Sequence, residues 1–123
     1  MASWTTGDLS TVGGTDELAL QSRRDDGSLR DPVTIWVVRH GDDLYVRPVR
    51  GRAGWFAGTQ SRHEGHISSG GVDRDVSFAD ADPSLNDSID GEYRAKDSSY
   101  PARIVDNIMT EHARSATIKL VPR

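Results

Sequence analysis

The chain has 123 residues, 35% hydrophobic, with a mean hydropathy of −0.59 and a formal net charge of −4 from 19 acids and 15 bases. That length fits one domain, 1–123, with a small core; no run approaches the ~20 apolar residues of a membrane span, and the acidic balance argues against a nucleic-acid partner. The absence of cysteine excludes disulfides, thiolate catalysis and cysteine-ligated zinc, and with an N-terminus lacking the basic and apolar regions of a signal peptide it leads us to expect a cytoplasmic protein.

Thr5 and Asp8 have capping-box spacing, so a short helix is expected to start there and stop at Gly13-Gly14. Glu17 to Gln21 alternates as a strand, with Leu18 and Leu20 on one face. Asp25-Asp26-Gly27-Ser28 supplies turn chemistry. Val33 to Arg39, β-branched and apolar on both faces, reads as the central strand. A turn at His40-Gly41-Asp42-Asp43 leads to a partner strand, Leu44 to Val49. Its Leu44 and Val46 point one way, and Tyr45, Arg47 and Val49 the other. Trp55 to Ser61 reads as a short helical turn. Glu64 to Ser69 and Val72 to Phe78 read as a hairpin around Gly70-Gly71.

The period changes in the last third. Asp82-Pro83 has N-cap and first-turn chemistry, and Leu85, Ile89 and Tyr93 form one helical stripe. A second short helix is expected from Tyr100-Pro101, burying Ile104, Val105 and Ile108. Thr110 could cap another turn, and Thr117 to Val121 alternates as a last strand. The expected layout is α+β: an antiparallel sheet or small barrel with a short N-terminal helix and two or three C-terminal helices before the last strand.

The bases are thirteen arginines and two lysines, and arginine is the better fork for phosphate or carboxylate. Trp36, Tyr45, Arg47, Arg50, Arg52 and Trp55 gather arginines and aromatics around the central hairpin and its glycine-containing exit. This suggests a site for an anionic, planar ligand. The plainer alternative is that the tryptophans fill the core and the arginines pair with Asp42, Asp43, Asp73 or Asp75. His63 and His66, with Glu64 between them, have the residue types of a metal site, but in a strand they face opposite sides, so no metal is expected. His66, His63, Asp75 and Tyr45 are the candidate acids and bases. Asp73 and Asp75 share a strand face, where paired carboxylates can split their pKa values or simply bind arginine. Arg94 or Arg103 could form a lid, or Arg103 could pair with Asp106. No P-loop, nucleophile elbow or dinucleotide fingerprint is present.

The chain resembles an uncharacterised family of small bacterial proteins, common in actinobacteria and known only as a domain of unknown function. The residues that carry the resemblance are Trp4-Thr5 with Leu9, Pro32 to Val38, Leu44 to Arg47 with Gly51 and Trp55, Gly65-His66-Ile67, Asp75-Val76, Tyr93 to Lys96, and Ala116 to Pro122. It departs from the pattern at Asp97-Ser98-Ser99, where such proteins have a Tyr-Gly-containing connection.

More distantly, the order strand, turn, strand, glycine, tryptophan is similar to the split barrel of flavin- and deazaflavin-binding oxidoreductases, the pyridoxamine-phosphate oxidases and deazaflavin-dependent nitroreductases among them. That resemblance implies that the sheet closes into a small antiparallel split β-barrel, and a homodimer with FMN or a deazaflavin between subunits. The cofactor's phosphate would be held at Arg47, Arg50 and Arg52, with Trp55 and Trp36 near its ring, for hydride or electron transfer. Two other readings stand beside it: a cofactor-free isomerase, cyclase or lyase using the acids and bases above, and a non-catalytic ligand-binding protein.

Overall fold

The computed structural model describes residues 4–15, 17–48, 55–96 and 105–123, the side chains of 61 and 112 excepted. Helix α1 (Thr6–Gly13) precedes strands β1 (Glu17–Ser22), β2 (Val33–His40) and β3 (Asp43–Val46). Helix α2 (Trp55–Arg62) leads into β4 (Glu64–Ser69) and β5 (Val72–Asp80). A 3-10 turn (Pro83–Leu85), helices α3 (Asn86–Lys96) and α4 (Glu111–Ser115) and strand β6 (Ile118–Pro122) complete the order.

The strands close into an antiparallel barrel in the order β1-β2-β3-β6-β5-β4. Alternation dictates its contents, because successive side chains in a strand face opposite sides. Leu18 and Leu20, Ile35 and Val37, Leu44 and Val46, Ile67, Val76 and Phe78, and Ile118 and Leu120 all enter one core. Trp4, Leu9 and Val12 from the N-terminal segment and Phe56 from α2 join that core, so the barrel is packed rather than hollow. Trp4 also donates from Nε1 to the Leu120 carbonyl at 3.0 Å.

The local chemistry read from the sequence is in place. Thr5 accepts from the Asp8 N–H as the N-cap of α1, and Gly14 closes that helix. Gly70 and Gly71 both hold positive φ, 56° and 90°, which glycine adopts without a Cβ clash and which tight hairpins require. Asp82 caps the 3-10 turn and Thr110 caps α4. Gly65 answers to packing instead. A Cβ there would lie 2.2 Å from the Gln21 carbonyl and 2.6 Å from the Phe78 ring, so the ring lies against bare backbone.

A second layer covers the outside of β2 and β3. Val38, Tyr45, Ile89, Tyr93 and Ile108 form a separate buried cluster, with Trp36, Leu85 and Met109 packed against it. Leu85 belongs to the 3-10 turn rather than to α3, but it reaches the same cluster as Ile89 and Tyr93. Strand β3 ends at Val46, shorter than the expected Leu44 to Val49; Val49 itself lies outside the described residues. The expected second helix from Tyr100 likewise begins outside them, while Val105 and Ile108 are buried.

Candidate functional site

Tyr45 on the outer side of β3 and Arg47, the residue that follows the strand's end, are both covered by the second layer. Arg47 is 2% exposed. Its Nε donates to Thr117 Oγ1 at 2.9 Å, and its Nη1 to the Asp90 carboxylate and the Ile108 carbonyl. Its Nη2 donates to the Asn86 carbonyl at 3.1 Å, and the guanidinium lies 5.5 Å from the centroid of the Tyr93 ring. All three guanidinium nitrogens thus have partners from α3 or from the chain between residues 108 and 117. Tyr45 is 3% exposed; burial first, then the charges of Asp43 and Asp82, push its phenol pKa up. Trp36 packs against this layer, and Arg50 and Arg52 lie outside the described residues.

Trp55 stands elsewhere. It lines a cavity of about 580 Å³ together with Leu20, Ser22, Arg24, Arg30, Val33 and Gly58, a volume within the usual range for small-molecule sites, about 300–1,000 Å³. Asp31 and Ala57 complete the wall. The cavity lies where the end of β1, the β1–β2 connection and α2 meet.

That connection is densely hydrogen-bonded. Asp26 Oδ1 accepts from both the N–H and the hydroxyl of Ser28, at 2.9 and 2.7 Å. Gly27 turns at φ 90°, and an isolated bridge joins Arg23 to Leu29. Gln21 Nε2 donates to the Arg30 carbonyl at 3.0 Å, and the Arg30 N–H to the Ser22 carbonyl at 2.8 Å. Arg24 Nη1 reaches the Leu29 carbonyl at 2.9 Å. Arg30 Nη1 reaches the Arg23 carbonyl at 2.7 Å and more distantly Ser22 Oγ and the Gly58 carbonyl.

The charges around the cavity are unbalanced. Every other described arginine has a carboxylate oxygen within ion-pair distance. Among the described residues, Arg24 and Arg30 have none. Neither stood out in the sequence, because both look like ordinary flanks of an Asp-Gly turn. The legible clue was Gly58, an isolated glycine inside a helical segment, where alanine would be the better helix former.

The candidate acids and bases separate in space. His66 and Asp75 are register partners on β4 and β5, on the outer side of the barrel. His66 Nδ1 lies 3.0 Å from Asp75 Oδ1 and its Nε2 3.0 Å from Asp73 Oδ1. Ser68 Oγ donates to Asp73 at 2.6 Å, and Arg23 lies 3.5 Å from Asp75. Burial pulls the His66 pKa down, but hydrogen bonds to Asp73 and Asp75 and their charges outweigh it, and the net shift is upward. The bonds from Ser68 and His66 hold Asp73 low, and the bond from His66 holds Asp75 low. His63 is not part of this group. It sits at the α2–β4 junction with φ 56°, its Nδ1 3.3 Å from the Phe78 carbonyl. Among the described residues no group of three His, Asp or Glu is placed to hold a metal, and no helix is long and apolar enough to cross a membrane.

A solved structure described as an F420 reductase has the same fold, with a TM-score of 0.56 over 98% of this chain and 94% of that one at 14% sequence identity. No curated protein matches the chain in sequence. Over residues 8–120 the sequence fits the pattern of one family, and the chain belongs to it: DUF2255, uncharacterised proteins conserved in bacteria.

Proposed function

We propose that this protein binds an anionic aromatic ligand of the flavin type, FMN or a deazaflavin, in the cavity between the β1–β2 connection and α2, and works as an oxidoreductase with it. One observation carries the reading: the two described arginines without a carboxylate partner both line the cavity that Trp55 also lines. A cation held at a cavity wall by backbone carbonyls, with no carboxylate within ion-pair distance among the described residues and one acid, Asp31, against two arginines in the wall, is available to a phosphate or carboxylate. The likeness in fold to an F420 reductase supports the choice of ligand class.

The residues present fit such a group. Arg24 and Arg30 would hold its anionic end. Leu20, Val33 and the Trp55 ring would form an apolar wall for its ring system. Asp31 would accept from the ligand's hydroxyl or N–H donors. When bound, the group would supply hydride or electron transfer, while the chain binds and orients it. Arg47 is assigned to the fold instead, because its donors are already engaged. Arg50 and Arg52 stay in the proposal as further anion contacts. A homodimer belongs to the same proposal.

The test is an absorption spectrum and native mass of freshly purified protein, before and after adding FMN or deazaflavin. A near-stoichiometric chromophore on a dimer supports the reading. A clean spectrum with no uptake of either compound sinks it.

The second reading, cofactor-independent acid–base chemistry, is favoured by the pairing of His66 with Asp75. With both ring nitrogens facing carboxylates, His66 would hold its proton and act as the acid. A His66→Gln variant that kept full turnover would dispose of that role.

A further inference from the structure

Helix α2 carries its glycine, Gly58, at the cavity wall, where alanine would be the better helix former. The geometry explains the choice. A Cβ on Gly58 would stand 2.6 Å from Ser22 Oγ, 3.2 Å from Arg30 Nη1 and 3.4 Å from Arg30 Cδ. Ser22 is 4% exposed, so its hydroxyl has little room to retreat, and it lies 3.4 Å from Arg30 Nη1. The Gly58 carbonyl itself faces Arg30 Nη1 at 3.5 Å. The arginine therefore crosses bare backbone of α2, and a side chain at 58 would require the Ser22 hydroxyl to turn and the Arg30 side chain to give way by a few tenths of an ångström.

We infer that Gly58 is a positioning residue: its missing side chain lets Arg30 stand in the cavity wall, and the cavity thereby selects the charged form of its ligand over the uncharged one. The inference rests on the cavity reading above and deepens it. FMN and riboflavin share one ring system and one sugar-alcohol chain and differ by a phosphate. An arginine held for that phosphate separates the two. A glycine needed only for packing does not.

The experiment is calorimetric titration of the full chain with FMN and with riboflavin, for the wild type, Gly58→Ala, Arg30→Gln and the double variant, with thermal melting of each. The wild type is expected to prefer FMN. Gly58→Ala should weaken FMN about ten-fold, the scale of one lost charge-assisted hydrogen bond, and leave riboflavin unchanged. In the Arg30→Gln background the glycine substitution should have no further effect on FMN, because two residues that act through one contact are not additive. Equal weakening of both ligands, a full additional loss in the double variant, or a Gly58→Ala chain that does not fold would make the glycine structural and overturn the assignment. A wild type that binds neither compound would remove the cavity reading and this inference together. A wild type that binds FMN, with Gly58→Ala binding it equally well, would remove the inference alone.

Discussion

Two arginine sites in this molecule have opposite fates. Beneath α3, Arg47 is enclosed and reaches Asp90, Asn86, Ile108 and Thr117. It joins the barrel to α3 and to the chain ahead of β6. At the mouth of the β1–β2 connection, Arg24 and Arg30 are held by carbonyl oxygens and meet no carboxylate among the described residues. The residue type is the same, and what differs is whether the fold supplies the counter-charge. Where it does, the arginine is part of the structure. Where it does not, we propose, the cation is available to a ligand.

The comparison breaks most visibly at Arg47. Removing one partner of a buried ion pair costs about 3–5 kcal/mol, so Arg47→Met should lose about 3 kcal/mol or more of unfolding free energy in urea and loosen the second layer. A variant as stable as the wild type would mean that the enclosed arginine is not structural. Next comes Gly65→Ala, which drives a methyl into the Gln21 carbonyl and the Phe78 ring. Overpacking of this kind costs about 1–3 kcal/mol, and thermal melting reads it.

The cavity arginines should behave in the reverse sense. Arg24→Ala should shift stability by no more than ~0.5 kcal/mol, as surface substitutions do, and Arg30→Ala, which also loses the hydrogen bond to the Arg23 carbonyl, by about 1 kcal/mol. Each should still weaken FMN binding about ten-fold. A large stability loss at either would put it in the same class as Arg47.

The smallest effect is that of pH. The His66 pKa is raised in the fold, so its contribution is fully present below the ordinary histidine pKa, ~6.5, and is lost as pH rises through the raised value. Asp73 and Asp75 are lowered. Their contributions are present above the ordinary aspartate pKa, ~3.9, and are lost as pH falls through the lowered values. Between those limits the cluster stabilises most, and only modestly, because its carboxylates are exposed. His66→Gln should flatten the loss of stability on the alkaline side. An unchanged pH profile in that variant would mean the cluster is not coupled to folding.

The barrel was legible because its signals are local. Period-two alternation in Leu18-Leu20, Val33 to Arg39 and Thr117 to Val121, glycine pairs at the hairpin and threonine caps each act within a few residues. Parity also placed Tyr45 and Arg47 on one face. It could not say that the face would be roofed by α3, because Asp90 and Asn86 lie some forty positions away in sequence. Proximity to tryptophan in the sequence drew attention to Arg47. The cavity instead pairs Trp55 with Arg24 and Arg30 from the other side of β2 and β3 in the chain, and only barrel closure brings them together. The tie between His66 and Asp75 followed from the hairpin register, whereas the separation of His63 follows from its place at a helix–strand junction.

The most direct test of the central claim is calorimetric titration of FMN into the wild type and into the Arg24→Ala/Arg30→Ala double variant at equal fold stability. The account predicts saturable binding of one FMN per chain in the wild type and a loss of about a hundred-fold or more in the double variant. Binding of equal strength in both proteins, or none in the wild type, would contradict it.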